Sequence, residues 1–107
     1  MLYKFKSQAA SDLIMLDPNG RRVLEIIGKT PGPRGIIEPP DMATAVRALE
    51  AAVQAEEAAR QAAVAEAEAR GEDPPVFEGV TLRQRAAPFI ELLRRSAQAD
   101  VPVVWGV

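Results

Sequence analysis

Along residues 2–7, "LYKFKS", apolar and charged side chains alternate: Tyr3 and Phe5 point one way, Lys4 and Lys6 the other. That is the period of a half-buried strand. The next apolar run, "DLIML" at 12–16, fits a second strand or a buried turn of helix. The four-residue link between the two suits a hairpin. In "DPNGRRVLEIIG", Asp17 fits an N-cap, Pro18 the first helical position, and Gly28 the residue just past the end. Val23, Leu24 and Ile27 share one helical face, with Ile26 beside it. Pro18-Asn19-Gly20 also fits a hairpin turn, with Arg21 to Ile27 as the returning strand. Two terminus signals and the apolar spacing favour the helix.

After a Pro/Gly segment, Asp41 fits the cap of the longest element, "MATAVRALEAAVQAEEAARQAAVAEAEAR", which Gly71 ends. Met42, Val46, Leu49 and Val53 form its apolar stripe. From 54 to 75 the only large aliphatic side chain is Val64. Alanine's helix propensity and the i,i+4 pairs Glu56/Arg60 and Glu66/Arg70 keep this part helical. Such a rod is roughly 43 Å long, whereas a compact chain of this size, with a radius of gyration near 13 Å, is about 30–35 Å across. The distal half must protrude or pack against something. "GEDPPVFEGV" then reads as an acidic surface loop.

Thr81 with Gln84 makes a capping-box pattern for the last helix. Leu82, Ala86, Phe89, Ile90, Leu93 and Ala97 follow one face of it, and Pro88 should kink it near Gln84. The terminal "VPVVWGV" is β-branched and aromatic, hence a strand, with Pro102 at its tolerated start.

These elements predict one α+β domain over 1–107. A small antiparallel sheet takes both terminal strands and "DLIML". Residues 1–28 give strand, strand and short helix; 29–40 are a Pro/Gly connector; 41–99 are a long Ala-rich antiparallel helical hairpin; 101–107 are the last strand. The short joining loop sets the Ala-rich half of the first long helix beside Leu82, Phe89 and Ile90. Ala48, Ala52, Ala55, Ala59 and Ala62 recur at four- and three-residue steps, a thin seam on which a second helix can approach closely.

Composition removes several chemistries. The chain has no Cys and no His, which excludes thiolate zinc sites, Cys nucleophiles and histidine ligands or bases. No cofactor and no metal site is expected. No stretch is long and apolar enough for a signal peptide or a membrane span, so a soluble cytoplasmic protein is the expectation. The net charge of −2 is uneven: +2 over 1–40, −5 over 41–73 and +1 over 74–107. Nothing concentrates the basic surface that nucleic acid needs.

Three motifs invite chemistry. Gly28-Lys29-Thr30 spells the end of a phosphate loop, but the early glycine of that loop is Val23 here, and Pro31-Gly32-Pro33 prevents a helix from starting at the lysine. A stiff connector with Lys29 and Arg34 held outward is the better account: Ile26-Ile27 close a helix, Gly28 and Gly35 bend the chain, and Ile36-Ile37 re-enter the core. Arg83, Arg85, Arg94 and Arg95 resemble a recognition helix, yet Glu91 interrupts that face. Glu56, Glu57, Glu66, Glu68, Glu72 and Asp73 are strung along a helix and a short loop, a solvated face and not a cation cage. Trp105 suits sheet packing before ligand stacking, and its strand offers an edge to a second copy. No nucleophile–base pair is visible, which argues against an enzyme.

"MLYKFKS", "IIGKTPGPRGIIEP", "LRQRAAPFIELLRRS" and "PVVWGV", in that order, resemble a small proteobacterial family catalogued as a domain of unknown function, family eighteen-forty. The resemblance spans the chain and implies a short, single-domain, cytosolic bacterial protein. It brings no activity, cofactor or catalytic residue. The expected function is therefore a non-enzymatic interaction or self-association module that uses its helical hairpin or a sheet edge. Ala48, Ala52, Ala55, Ala59, Ala62 and Trp105 are its candidate surface. The partners expected are a second copy, as a homodimer, or an unidentified protein; nucleic acid and membrane are not expected. The alternative is a small anion-binding module near Lys29, Arg34, Arg94 and Arg95; a nucleic-acid-binding regulator ranks third.

Overall fold

A computed structural model describes residues 2–77 and 79–107. The elements run β1 (Leu2–Ser7), β2 (Ala10–Leu16), α1 (Asp17–Ile26), β3 (Gly35–Ile37), α2 (Pro39–Ala69), α3 (Leu82–Gln98) and β4 (Val103–Trp105). The sheet is antiparallel with order β2-β1-β4-β3. The fold is α+β, as the hydrophobic pattern predicts.

Tyr3 and Phe5 lie opposite Met15 and Leu13, so the alternating residues of β1 and β2 share one inner face. Val103, Trp105 and Ile37 continue that face on the other two strands. Phe5 is its centre: Phe89 meets it edge-on at 4.9 Å and Trp105 at 5.8 Å, while Tyr3 stacks beside it at 5.9 Å. Val23 and Leu24 of α1 and the stripe Met42, Val46, Leu49 and Val53 of α2 complete the core. All three helices thus serve one face of the sheet.

The region 17–27 is the helix and not the returning strand, but Asp17 is not its cap. Leu16 holds that position, and Asp17 lies in the first turn, where it accepts from Arg21 Nε at 3.1 Å. Asp41 is displaced in the same way. Glu38 is the N-cap of α2, with Pro39 and Pro40 occupying the first two helical positions. Proline has no N–H to satisfy and its φ is already helical, so the pair starts the helix without a side-chain cap. All three helices close alike. Lys29 N–H reaches Leu24 O at 2.8 Å, Glu72 N–H reaches Ala67 O at 2.9 Å, and Val101 N–H reaches Ser96 O at 2.9 Å. Gly28, Gly71 and Asp100 supply the left-handed residue each closure requires.

The capping box of Thr81 and Gln84 forms, and α3 runs through Pro88 without a break. Its buried face is Leu82, Ala86, Phe89, Leu92, Leu93 and Ser96; Ala97, expected inside, is exposed. Ser96 replaces it because its hydroxyl is satisfied, donating to Leu92 O and meeting Ser7 Oγ, each at 2.7 Å. The two long helices are antiparallel, and α3 starts level with Glu56 and Glu57. Residues 58–69 therefore extend past it, which stretches the molecule to 52 × 28 × 22 Å with a radius of gyration of 16.1 Å. The placement of the Ala-rich half beside Phe89 and Ile90 is corrected accordingly: Phe89 lies on Phe5, and Leu82 alone sits at the start of that half.

Candidate functional site

The connector settles the phosphate-loop question. Gly28 and Lys29 spend their N–H groups on Glu25 O and Leu24 O, which close α1. A phosphate cradle needs those donors free. Farther on, residues 35–37 are not merely a connector but the strand β3, paired with Trp105, Val104 and Val103. Gly35 is not a bend. Trp105 lies across it so closely that a Cβ there would overlap the indole ring. The same indole donates to Gly32 O at 3.1 Å. Of the Ile36-Ile37 pair only Ile37 is buried.

Trp105 is 2% exposed and is a core residue of its own chain. Its strand is not an edge either, because β4 lies between β1 and β3. The free edges belong to β2 and β3. In the alanine seam Ala48 and Ala52 are half-buried, while Ala55, Ala59 and Ala62 face solvent.

The proposed anion-binding residues are not assembled. Arg94 pairs with Glu50 at 3.2 Å and Arg95 with Glu91 at 2.8 Å. Lys29 is half-buried and Arg34 exposed, and neither lines a cleft with those arginines. Arg83 grips Glu57 through two bonds of 2.7 and 2.9 Å, so three of the four α3 arginines hold carboxylates. Nor do the acidic side chains converge. Among the described residues no group of three could hold a metal ion. No helix among them is long and apolar enough to cross a membrane.

Glu56 is used differently from its sequence pairing. In place of an ion pair with Arg60, its Oε2 accepts the N–H of Leu82 at 2.8 Å and its Oε1 meets Arg22 at 3.3 Å. One carboxylate so ties α1, α2 and α3 together, and it sits at the positive end of α3. The Leu82 N–H, and after it Arg22, hold the carboxyl below the usual range, against the opposing effect of burial. Arg60 lies 4.7 Å over the ring of Phe77.

What remains open is the outer face of the sheet and the edge of β2. By strand alternation Leu2, Lys4, Ile14 and Leu16 share the face away from the helices. Leu2 is 60% exposed, Ile14 54% and Leu16 61%, with Leu2 directly opposite Leu16. Ile36 and Val104 pair side by side farther along that face. The uniform apolarity of "DLIML" hid this division. The signal was present, since taking alternate residues outward from Tyr3 and Met15 leaves Leu2, Ile14 and Leu16 without a core.

A family model described as a domain of unknown function (DUF1840) matches residues 1–105. No curated protein and no solved structure matches the chain.

Proposed function

The chain belongs to this DUF1840 family, and from that premise we propose a non-catalytic interaction module that self-associates through the open face of its sheet. The observation that carries this is the exposed apolar group of Leu2, Ile14 and Leu16 on strands whose other face is fully packed. Contiguous exposed apolar side chains gain by leaving water, and a second copy offers the same group.

Sedimentation velocity at tens of micromolar tests the proposal. The wild type is expected to associate, and the double variant Ile14→Lys/Leu16→Lys to remain a monomer with the same helical circular dichroism. A wild-type monomer throughout that range would refute it, as would a double variant that associates like the parent.

A further inference from the structure

A cleft of about 320 Å³ borders the outer edge of β2. Leu13, Ile14, Met15 and Leu16 line it on one side, and Val80, Arg85 and Pro88 on the other. Successive strand residues point to opposite faces of a sheet, so four in a row meet one cleft only along the strand's edge. The other edge of β2 is taken by β1. The main-chain groups turned toward the cleft therefore have no strand partner. The volume is at the small end for an enclosed ligand pocket, roughly 300–1,000 Å³. It suits a few side chains of something that runs on along the strand.

Arg85 sets the chemistry. Its neighbours Arg83, Arg94 and Arg95 hold Glu57, Glu50 and Glu91. Among the described residues Arg85 holds no carboxylate, and it stands half-buried in a wall whose other members are mostly apolar. A half-buried guanidinium with no carboxylate partner among the described residues favours an incoming anion, which it can grip through two parallel bonds.

We propose that this cleft is a peptide site. It takes an extended segment of another protein as a fifth strand beside β2, with apolar side chains at alternate positions and one carboxylate directed to Arg85. Main-chain bonds along the edge supply affinity; the wall of α3 and Arg85 supply selectivity. The site uses the edge of β2 and not the open face of the sheet, although Ile14 and Leu16 border both.

Selection of a displayed library of random heptapeptides against the full chain tests it. The enriched peptides should share apolar residues at alternate positions and an acidic residue at a constant place. Synthesised, they should shift the backbone amide resonances of Leu13 to Leu16 in the wild type, a reading that needs no variant. Arg85→Glu should weaken them at least about tenfold, and exchanging the peptide's acidic residue for lysine should restore binding to that variant. No shared sequence after selection, amide shifts away from β2, or equal affinity for Arg85→Glu would each overturn the proposal. So would a dimer whose β2 amides become protected while no peptide is enriched, because the edge would then belong to a second copy.

Discussion

Replacing Glu56 with alanine removes a side chain of α2 that bonds to both α1 and α3. Its bond to Leu82 N–H, 2.8 Å long, satisfies the first orphan donor of α3, a group the helix cannot satisfy itself. A hydrogen bond to a charged group contributes about 1.5–3 kcal/mol, and that range includes the favourable placement of a carboxylate at a helix N-terminus. The Arg22 contact is longer, at 3.3 Å, and the Arg22 side chain is 54% exposed, so it adds only about a few tenths of a kcal/mol. Glu56→Ala should then cost about 2 kcal/mol. At about 4–8 °C per kcal/mol for a domain near this size, the melting midpoint falls by roughly 10 °C. Glu56→Gln keeps an acceptor but not the charge, and should lose about half as much.

Acid provides the sharper test. A carboxyl whose folded pKa is lowered contributes stability that is fully present above its unfolded pKa, about 4.3 for Glu. That stability is lost as pH falls through the lowered folded value. The difference in melting midpoint between wild type and Glu56→Gln should therefore hold at neutral pH and close below about pH 4. Thermal unfolding followed by circular dichroism across that window measures it. An alanine variant that melts with the wild type, or a Gln difference that persists undiminished into acid, would refute the assignment of Glu56 as the clamp on α3. Glu57→Gln is the control: its pair with Arg83 is exposed to solvent, and the midpoint should not move measurably.

Three further variants probe other contacts. Gly35→Ala forces a methyl into the indole of Trp105; overpacking of this kind costs about 1–3 kcal/mol, and both the melting midpoint and the tryptophan emission should change. Ser96→Ala leaves the Ser7 hydroxyl without its helix partner and should cost about 1 kcal/mol in chemical denaturation, with most of that loss absent in a Ser7→Ala background. Ala59→Lys, on the solvent-facing part of the seam, should alter neither the melting midpoint nor the sedimentation of the chain; a change in association alone would move the self-association surface from the sheet to α2.

Local chemistry was legible where local chemistry decides the outcome. The alternation of β1, the stripe of α2, the capping box of Thr81 and the glycines after α1 and α2 all act within a few residues. The features missed are set by distant partners. β3 is three residues long and becomes a strand only because Val103 to Trp105 lie beside it. Glu56 has a suitable i,i+4 partner in Arg60, yet it binds Arg22 and Leu82, 34 and 26 residues away. Ser96 is buried in place of Ala97 because a hydroxyl 89 residues away, that of Ser7, meets it. The pairing of the arginines expected at an anion site has a related cause. Charge on Arg94 was visible in the sequence, but its pairing with Glu50, on another helix, was not. Arg85 looked like its neighbours until the pairing left it without a carboxylate among the described residues.

The interior position of β4 also orders events in time. β1 occupies residues 2–7, and its neighbour in the sheet is 103–105. While the chain is being synthesised, β1 and β2 can form a hairpin and α2 can coil, but β3 has no strand to join. The inner face of Phe5 waits with them for Trp105. Contacts between segments so distant in sequence are the slowest to form. The nascent chain must carry Phe5 without its Trp105 contact and Ile37 without its strand partner until β4 leaves the ribosome, so this part of the core closes late.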